Sequence, residues 1–179
     1  CTLHSNMVGT IYLRGAGGQN ENVGVTTFSS NILTPQQVGC AVRLSSNQSH
    51  PGNNSFENSS SIMNFDTEVW DIGSNFNTSN NRFTAPVTGY YHFGCNQRFD
   101  AGNGQYFRLV FYKNGSAGDG YKHGHSIYRD NDGFNYVSLN ITGLIQLDAN
   151  DYVEAWAYSH TDTSWTLQRE SQFFGFLVG

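Results

Sequence analysis

Charge is the scarcest ingredient of this chain. Only 13% of its 179 residues are Asp, Glu, Lys or Arg, the formal net charge is −5, and lysine occurs at Lys113 and Lys122 alone. Binding a polyanion needs clustered cations that release condensed counterions, so this balance argues against a nucleic-acid partner. Cysteine is scarce too. Cys1, Cys40 and Cys95 are odd in number and far apart, which gives neither a disulfide framework nor a zinc-ligand spacing. Cys40 and Cys95 lie on strand-like stretches, where a free thiol serves as a small hydrophobe. No apolar run approaches the roughly 20 residues of a membrane-spanning helix, so membrane insertion is not expected.

Catalytic signatures are equally sparse. Nothing in the chain forms a nucleophile elbow, a zinc-binding helix or a paired-carboxylate pattern. The cluster Gly15–Gly18 does not open a helix, which speaks against a nucleotide role. The expectation is a protein that is not an enzyme.

What the chain does have is Asn, Ser, Thr, Gly and aromatics, the last at 15%. Aromatics favour strands and supply a large buried core. The densest stretch is Phe65–Phe93. Phe83, Ala85 and Val87 alternate on one face, and after Gly89 so do Tyr91, Phe93 and Cys95. Period-2 runs across a glycine turn predict a hairpin or a sheet corner. Pro86 has no N–H to give a ladder and belongs at a strand end or bulge.

The same stretch resembles the signature of the complement C1q globular-head family, a branch of the tumour-necrosis-factor-like jelly rolls. The residues concerned are Phe65-Asp66, Asn75-Phe76, Phe83-Thr84, Pro86-Val87, Gly89, Tyr91 and Phe93. Further blocks follow in the family's order: Ala41–Leu44, Tyr112–Gly115, Leu144–Val153 and the closing Phe173–Leu177. The resemblance implies an all-β, two-sheet jelly-roll sandwich that assembles as a homotrimer. The wording of Phe65–Tyr91 is similar to versions found in bacteriophage and bacterial proteins.

Taken in order, residues 1–38 match the family poorly and are expected to form an N-terminal arm or stalk, with the head at 39–179. Ser45 to Ser61, rich in Asn and Ser and containing Pro51, reads as an exposed loop. Phe107, Leu109 and Phe111 share one face, and Tyr106, Arg108, Val110 and Tyr112 the other. Asn114-Gly115 is a tight-hairpin signal, since both positions of a primed turn need positive φ. Val137, Leu139, Ile141, Ile145 and Leu147 form an inward set in which Gly143 predicts a bend or bulge. About ten strands are expected.

Three groups are candidate sites. His123 and His125 fall at i and i+2, so a regular strand would put both on one face. Three such pairs around a trimer axis could hold a transition metal; the alternative is a glycine-flexed surface loop. Tyr152, Trp156 and Tyr158 oppose the core positions Val153, Ala155 and Ala157. They could stack on sugar rings or fill a partner's pocket, or be covered by the arm or a neighbouring subunit. Asp130 and Asp132, in Asp130–Gly133, have alternating oxygens that suit calcium, and the resemblance places calcium near the trimer apex in some members. The acidic run Asp148–Asp151 has the same composition. The helix-loop-helix calcium spacing is missing, and plain turns are the alternative. Six glycosylation-type triplets, at Asn47, Asn53, Asn58, Asn77, Asn114 and Asn140, are expected by chance in so Asn-rich a chain.

The expected function is a trimeric exterior binding module. The leading form is the head of a phage or viral fibre or decoration protein at the virion surface, recognising a host glycan or protein and joined to other virion proteins through the arm. A secreted, extracellular complement-type recognition or adhesion head is one alternative. A purely structural virion subunit is another.

Overall fold

The computed structural model describes residues 37–50, 62–100, 106–115, 122–129, 136–159 and 164–178, with backbone alone for Tyr106 and 122–129. Both sheets belong to a unit that runs from Pro35 to Gly179. The expected arm, residues 1–38, lies outside the described residues except for Gln37 and Val38.

The described residues form two antiparallel sheets and no helix. The larger sheet contains β1 (Gly39–Arg43), β2 (Gln48–His50), β3 (Thr67–Ile72), β6 (Gly89–Asp100), β9 (Tyr136–Leu147), β11 (Trp165–Leu167) and β12 (Gln172–Leu177). Its order is β2-β11-β6-β12-β1-β3, with β9 also paired to β6. The smaller contains β4 (Phe76–Asn77), β5 (Arg82–Thr84), β7 (Tyr106–Lys113), β8 (Lys122–Arg129) and β10 (Tyr152–Ser159), in the order β4-β5-β10-β7-β8. This is the expected two-sheet sandwich. The strands beyond the expected ten are short: β2 and β4 have three and two residues.

Alternation decides which side chains meet between the sheets. Tyr91, Phe93, Cys95 and Phe99 of β6, Phe107, Leu109 and Phe111 of β7, and Val153, Ala155 and Ala157 of β10 all enter one buried cluster. Phe93 sits among four other rings, stacked on Phe173 at 5.8 Å and on Tyr91 at 6.3 Å, and meeting Phe83 at 5.3 Å and Phe111 at 6.1 Å. Small alanines on β10 leave room for these rings. Burying a phenylalanine side chain contributes about 1.5–3 kcal/mol, so this group is the main source of cohesion between the layers.

Of the two forms expected for Arg82–Phe93 the structure has the sheet corner, because β5 and β6 belong to different sheets. Several other expectations give way. With the chain changing sheets, Val87 leaves the inward set and is exposed, while its carbonyl accepts a hydrogen bond from the Tyr91 hydroxyl at 2.7 Å. Asn114 and Gly115 do take positive φ, 54° and 80°. They do not close a two-residue hairpin, since Tyr112 is registered with Lys122. Gly143 makes no bulge: β9 pairs with β6 from Tyr136 to Leu147 in unbroken register. Part of the expected 45–61 loop is strand, because β2 pairs with β11 and the His50 ring stacks on Trp165 at 4.6 Å. Residues 51–61 lie outside the described set.

Candidate functional site

The outer face of the five-stranded sheet carries the aromatic set singled out in the sequence. Alternation places Trp156 and Tyr158 opposite the core alanines, as expected. They are nevertheless buried, at 5% and 2% exposure, in a second cluster with Val110, Tyr112 and the partly buried Ile62. Ile62 pairs with Trp156 as an isolated bridge, and the Met63 N–H donates to the Ala155 carbonyl at 3.1 Å, so this segment runs alongside β10. The Trp156 indole N–H is already spent on Glu154 Oε2 at 3.0 Å, and Tyr112 meets its ring edge-on at 5.2 Å. Trp156 and Tyr158 are therefore not open stacking platforms. Sequence periodicity fixes a face but cannot show which distant segment crosses it.

Glu154 itself is 2% exposed, a carboxylate removed from water. Arg82 Nε donates to its Oε1 at 2.7 Å, which compensates the buried charge. The Arg82 guanidinium also lies 4.1 Å over the ring of Tyr152, the one member of the aromatic set that is only half-buried. Arg82, Glu154 and Trp156 form a closed, mutually satisfied group whose role is to hold β5 against β10.

His123 and His125 lie on β8, where a register shift between Val110 and Phe111 pairs His125 with Val110 and His123 with Phe111. The backbone pairing is therefore irregular at this point of the strand. Their side chains, and residues Asp130 and Asp132, lie outside the described set. Among the described residues no group of three or more His, Cys, Asp or Glu could hold a metal ion. The Asp148–Asp151 run is a turn. Asp151 Oδ2 receives the Lys113 ammonium at 2.8 Å and the Asp148 N–H at 2.8 Å, and Oδ1 receives the Asn114 amide at 2.7 Å.

The outward face of the seven-stranded sheet is different. Here Leu144 is 63% exposed, Tyr90 50%, and Trp70 and Ile72 43% each. Cross-strand register joins them into one belt. Trp70 and Ile72 oppose Ala41 and Gly39, Gly39 opposes Phe176, Phe176 opposes His92, and His92 opposes Leu144. The His92 ring meets Phe176 edge-on at 5.3 Å, and the Phe174 ring lies over Gly94. A cavity of about 310 Å³ opens along the belt, lined by Gln37, Val38, Gly39, Trp70, Ile72 and Phe176. The belt carries no Asp, Glu, Lys or Arg. A contiguous, aromatic-rich, uncharged patch has the character of a protein–protein contact rather than of ordinary surface. Sequence reasoning noted the high aromatic share without placing any of it on this face. The locating signal was the out-of-phase set Tyr90, Leu144, Phe174 and Phe176, interleaved with the core residues.

Two packed antiparallel sheets with a strand order that crosses between them define a jelly roll, and the comparisons with known proteins narrow that class. A family model described as "C1q domain" matches residues 44–178, so the chain belongs to the C1q domain family. The fold is similar to the globular domain of a zebrafish complement 1qA protein, with TM-score 0.51, 17% identity, and coverage of 80% of this chain and 98% of that one. It is also similar to Eiger TNF from S. frugiperda, with TM-score 0.58, 8% identity, and coverage of 80% and 94%. Among curated proteins, the "Uncharacterized protein YqcC" of Bacillus subtilis (strain 168) is 31% identical over 107 residues. That match takes in 59% of this chain but only 29% of the relative's length.

Proposed function

We propose that the chain is the head of a homotrimeric exterior binding protein. The observation that carries this reading is the uncharged belt from Trp70 to Leu144, which three copies would bury around a common axis. Burying such a patch stabilises an assembly at about 25 cal/mol per Å² of apolar area, less the cost of lost freedom. The outer surface is then left for recognition of a surface glycan or protein, with three sites acting together. A fluorescently labelled head applied to arrays of glycans and cell surfaces tests this. Retention by the trimer and at least tenfold weaker retention by a monomeric variant is the expected result. Equal retention of both forms, or none by either, contradicts it.

Two carriers fit such a head. One is a phage or viral fibre or decoration protein at the virion surface, since the wording of Phe65–Tyr91 is similar to phage as well as bacterial versions. The longer bacterial relative favours a bacterial surface or secreted protein. Immunogold labelling separates them: gold on particles supports the first, and gold on the cell surface the second.

A further inference from the structure

A second cleft lies away from the apolar belt. The strand β6 begins beside the Asp148–Asp151 turn, where Thr88 Oγ1 accepts the Ala149 N–H, and its last residues reach the opposite end of the sandwich. At that end a cavity of about 550 Å³ opens between two loops. Ser45, Ser46 and Asn47 line it from one side, and Gln168, Arg169 and Glu170 from the other. Every lining residue is polar.

The loops are fixed in place by bonds that mostly use backbone groups. The Arg169 N–H donates to Asn47 Oδ1 at 2.9 Å, and the Gln168 N–H to the Arg98 carbonyl at 2.8 Å. Gln97 Nε2 donates to the Gln168 carbonyl at 3.1 Å, and the Ser45 N–H and hydroxyl donate to Asp66 at 2.7 and 2.6 Å. The Oγ of Ser171, buried next in the chain after Glu170, has no hydrogen-bond partner among the described residues. The Arg98 guanidinium lies 4.1 Å over the ring of the half-exposed Tyr136. Arg98 also reaches Glu170 at 3.9 Å, which ties the ring to the cleft.

The lining selects a ligand class. It is too polar to reward an apolar ligand. Its one cation, Arg169, is offset by Glu170, with Asp66 bonded to the same loop, so an anion is not favoured. A pre-fixed set of hydroxyl, amide, guanidinium and carboxylate groups suits a molecule whose groups both donate and accept. The volume lies within the range of small-molecule sites. We propose that this cleft binds one or two residues of a neutral carbohydrate; the inference rests on the reading of the chain as an exterior binding head.

The test is an amide chemical-shift titration of the full chain with methyl glycosides of glucose, galactose, mannose and the two N-acetylhexosamines. The expected result is saturable shifts at residues 45–47 and 168–170 for at least one glycoside. Binding should weaken at least tenfold in both Glu170→Ala and Ser46→Trp, with unchanged thermal unfolding, and stay unchanged in Gln146→Ala at the other end. Absence of shifts at these residues, or shifts that persist in both variants, overturns the inference. Saturable shifts at another part of the head overturn this site while leaving the binding-head reading standing. Array retention without any shift here has the same meaning.

Discussion

The ring of Phe93 lies directly over Gly175, its cross-strand partner on β12, so closely that a Cβ on Gly175 would come within 2.4 Å of it. The ring cannot retreat, because Phe83, Phe111 and Phe173 hold it from other sides. Gly175→Ala is therefore expected to destabilise the head by about 1–3 kcal/mol, as overpacked cores do. Thermal unfolding followed by circular dichroism checks this. An unchanged midpoint would mean that the ring moves freely.

The neighbouring pair is a mirror of the first. Phe174 covers Gly94, and a Cβ there would come within 2.2 Å of the ring's far end. This ring is on the outward face and only half-buried, so it can swing aside. Gly94→Ala is expected to weaken self-association at least tenfold while shifting the unfolding midpoint less than Gly175→Ala does. Sedimentation velocity across a dilution series, beside a melt, separates the two effects.

Arg82 and Glu154 give a third prediction. Removing one partner of a buried pair leaves the other charge uncompensated, at a cost of about 3 kcal/mol. The lower end of the usual range applies because Arg82 is 38% exposed and water can partly replace it. Arg82→Ala should therefore destabilise markedly, and a second change, Glu154→Gln, should recover part of the loss. Urea unfolding of both variants and their combination measures the coupling.

Acid stability should depend on Asp151. Burial opposes its charge, yet the Lys113 ammonium and the Asn114 amide outweigh burial and hold its carboxyl below the ordinary 3.8. A carboxyl whose folded value is depressed contributes stability that is fully present above its unfolded value. That contribution is lost as pH falls through the folded one. Asp151→Asn should thus lower stability at neutral pH and flatten the decline below about pH 4. Parallel curves for the variant and the parent would contradict the assignment.

The two internal thiols should be inert. Burial, assisted by Asp71, pushes the Cys40 thiol up to about 12, and burial pushes Cys95 higher still. In a Cys1→Ser background, a thiol reagent at pH 8 should label neither residue until denaturant is added. Rapid labelling of the native chain would show that these positions open to solvent.

How much of this was legible in the sequence depends on how local each signal is. Strict alternation in Tyr91–Cys95, Phe107–Phe111 and Val153–Ala157 named the core, because a strand's side-chain period is a property of the strand alone. Val87 broke the pattern because the chain changes sheets at Pro86. Asn114 and Gly115 took the backbone shape that their types favour, but the length of the connection was set by the pairing of Tyr112 with Lys122. Trp156 was placed on the right face, with cover as one of its two readings, but the covering segment was not legible because Ile62 approaches from 94 residues away in sequence. The cleft between Ser45–Asn47 and Gln168–Glu170 joins loops separated by still more chain, and no local pattern announces it.

The central claim is that the belt through Tyr90, His92 and Leu144 holds copies of the chain together. Sedimentation equilibrium at micromolar concentration, on the parent and on Leu144→Asp, tests it most directly. The account predicts three times the 19.9 kDa chain mass for the parent, and a folded β-rich species of one chain mass for the variant. A folded parent of one chain mass, or a variant as fully assembled as the parent, would contradict it.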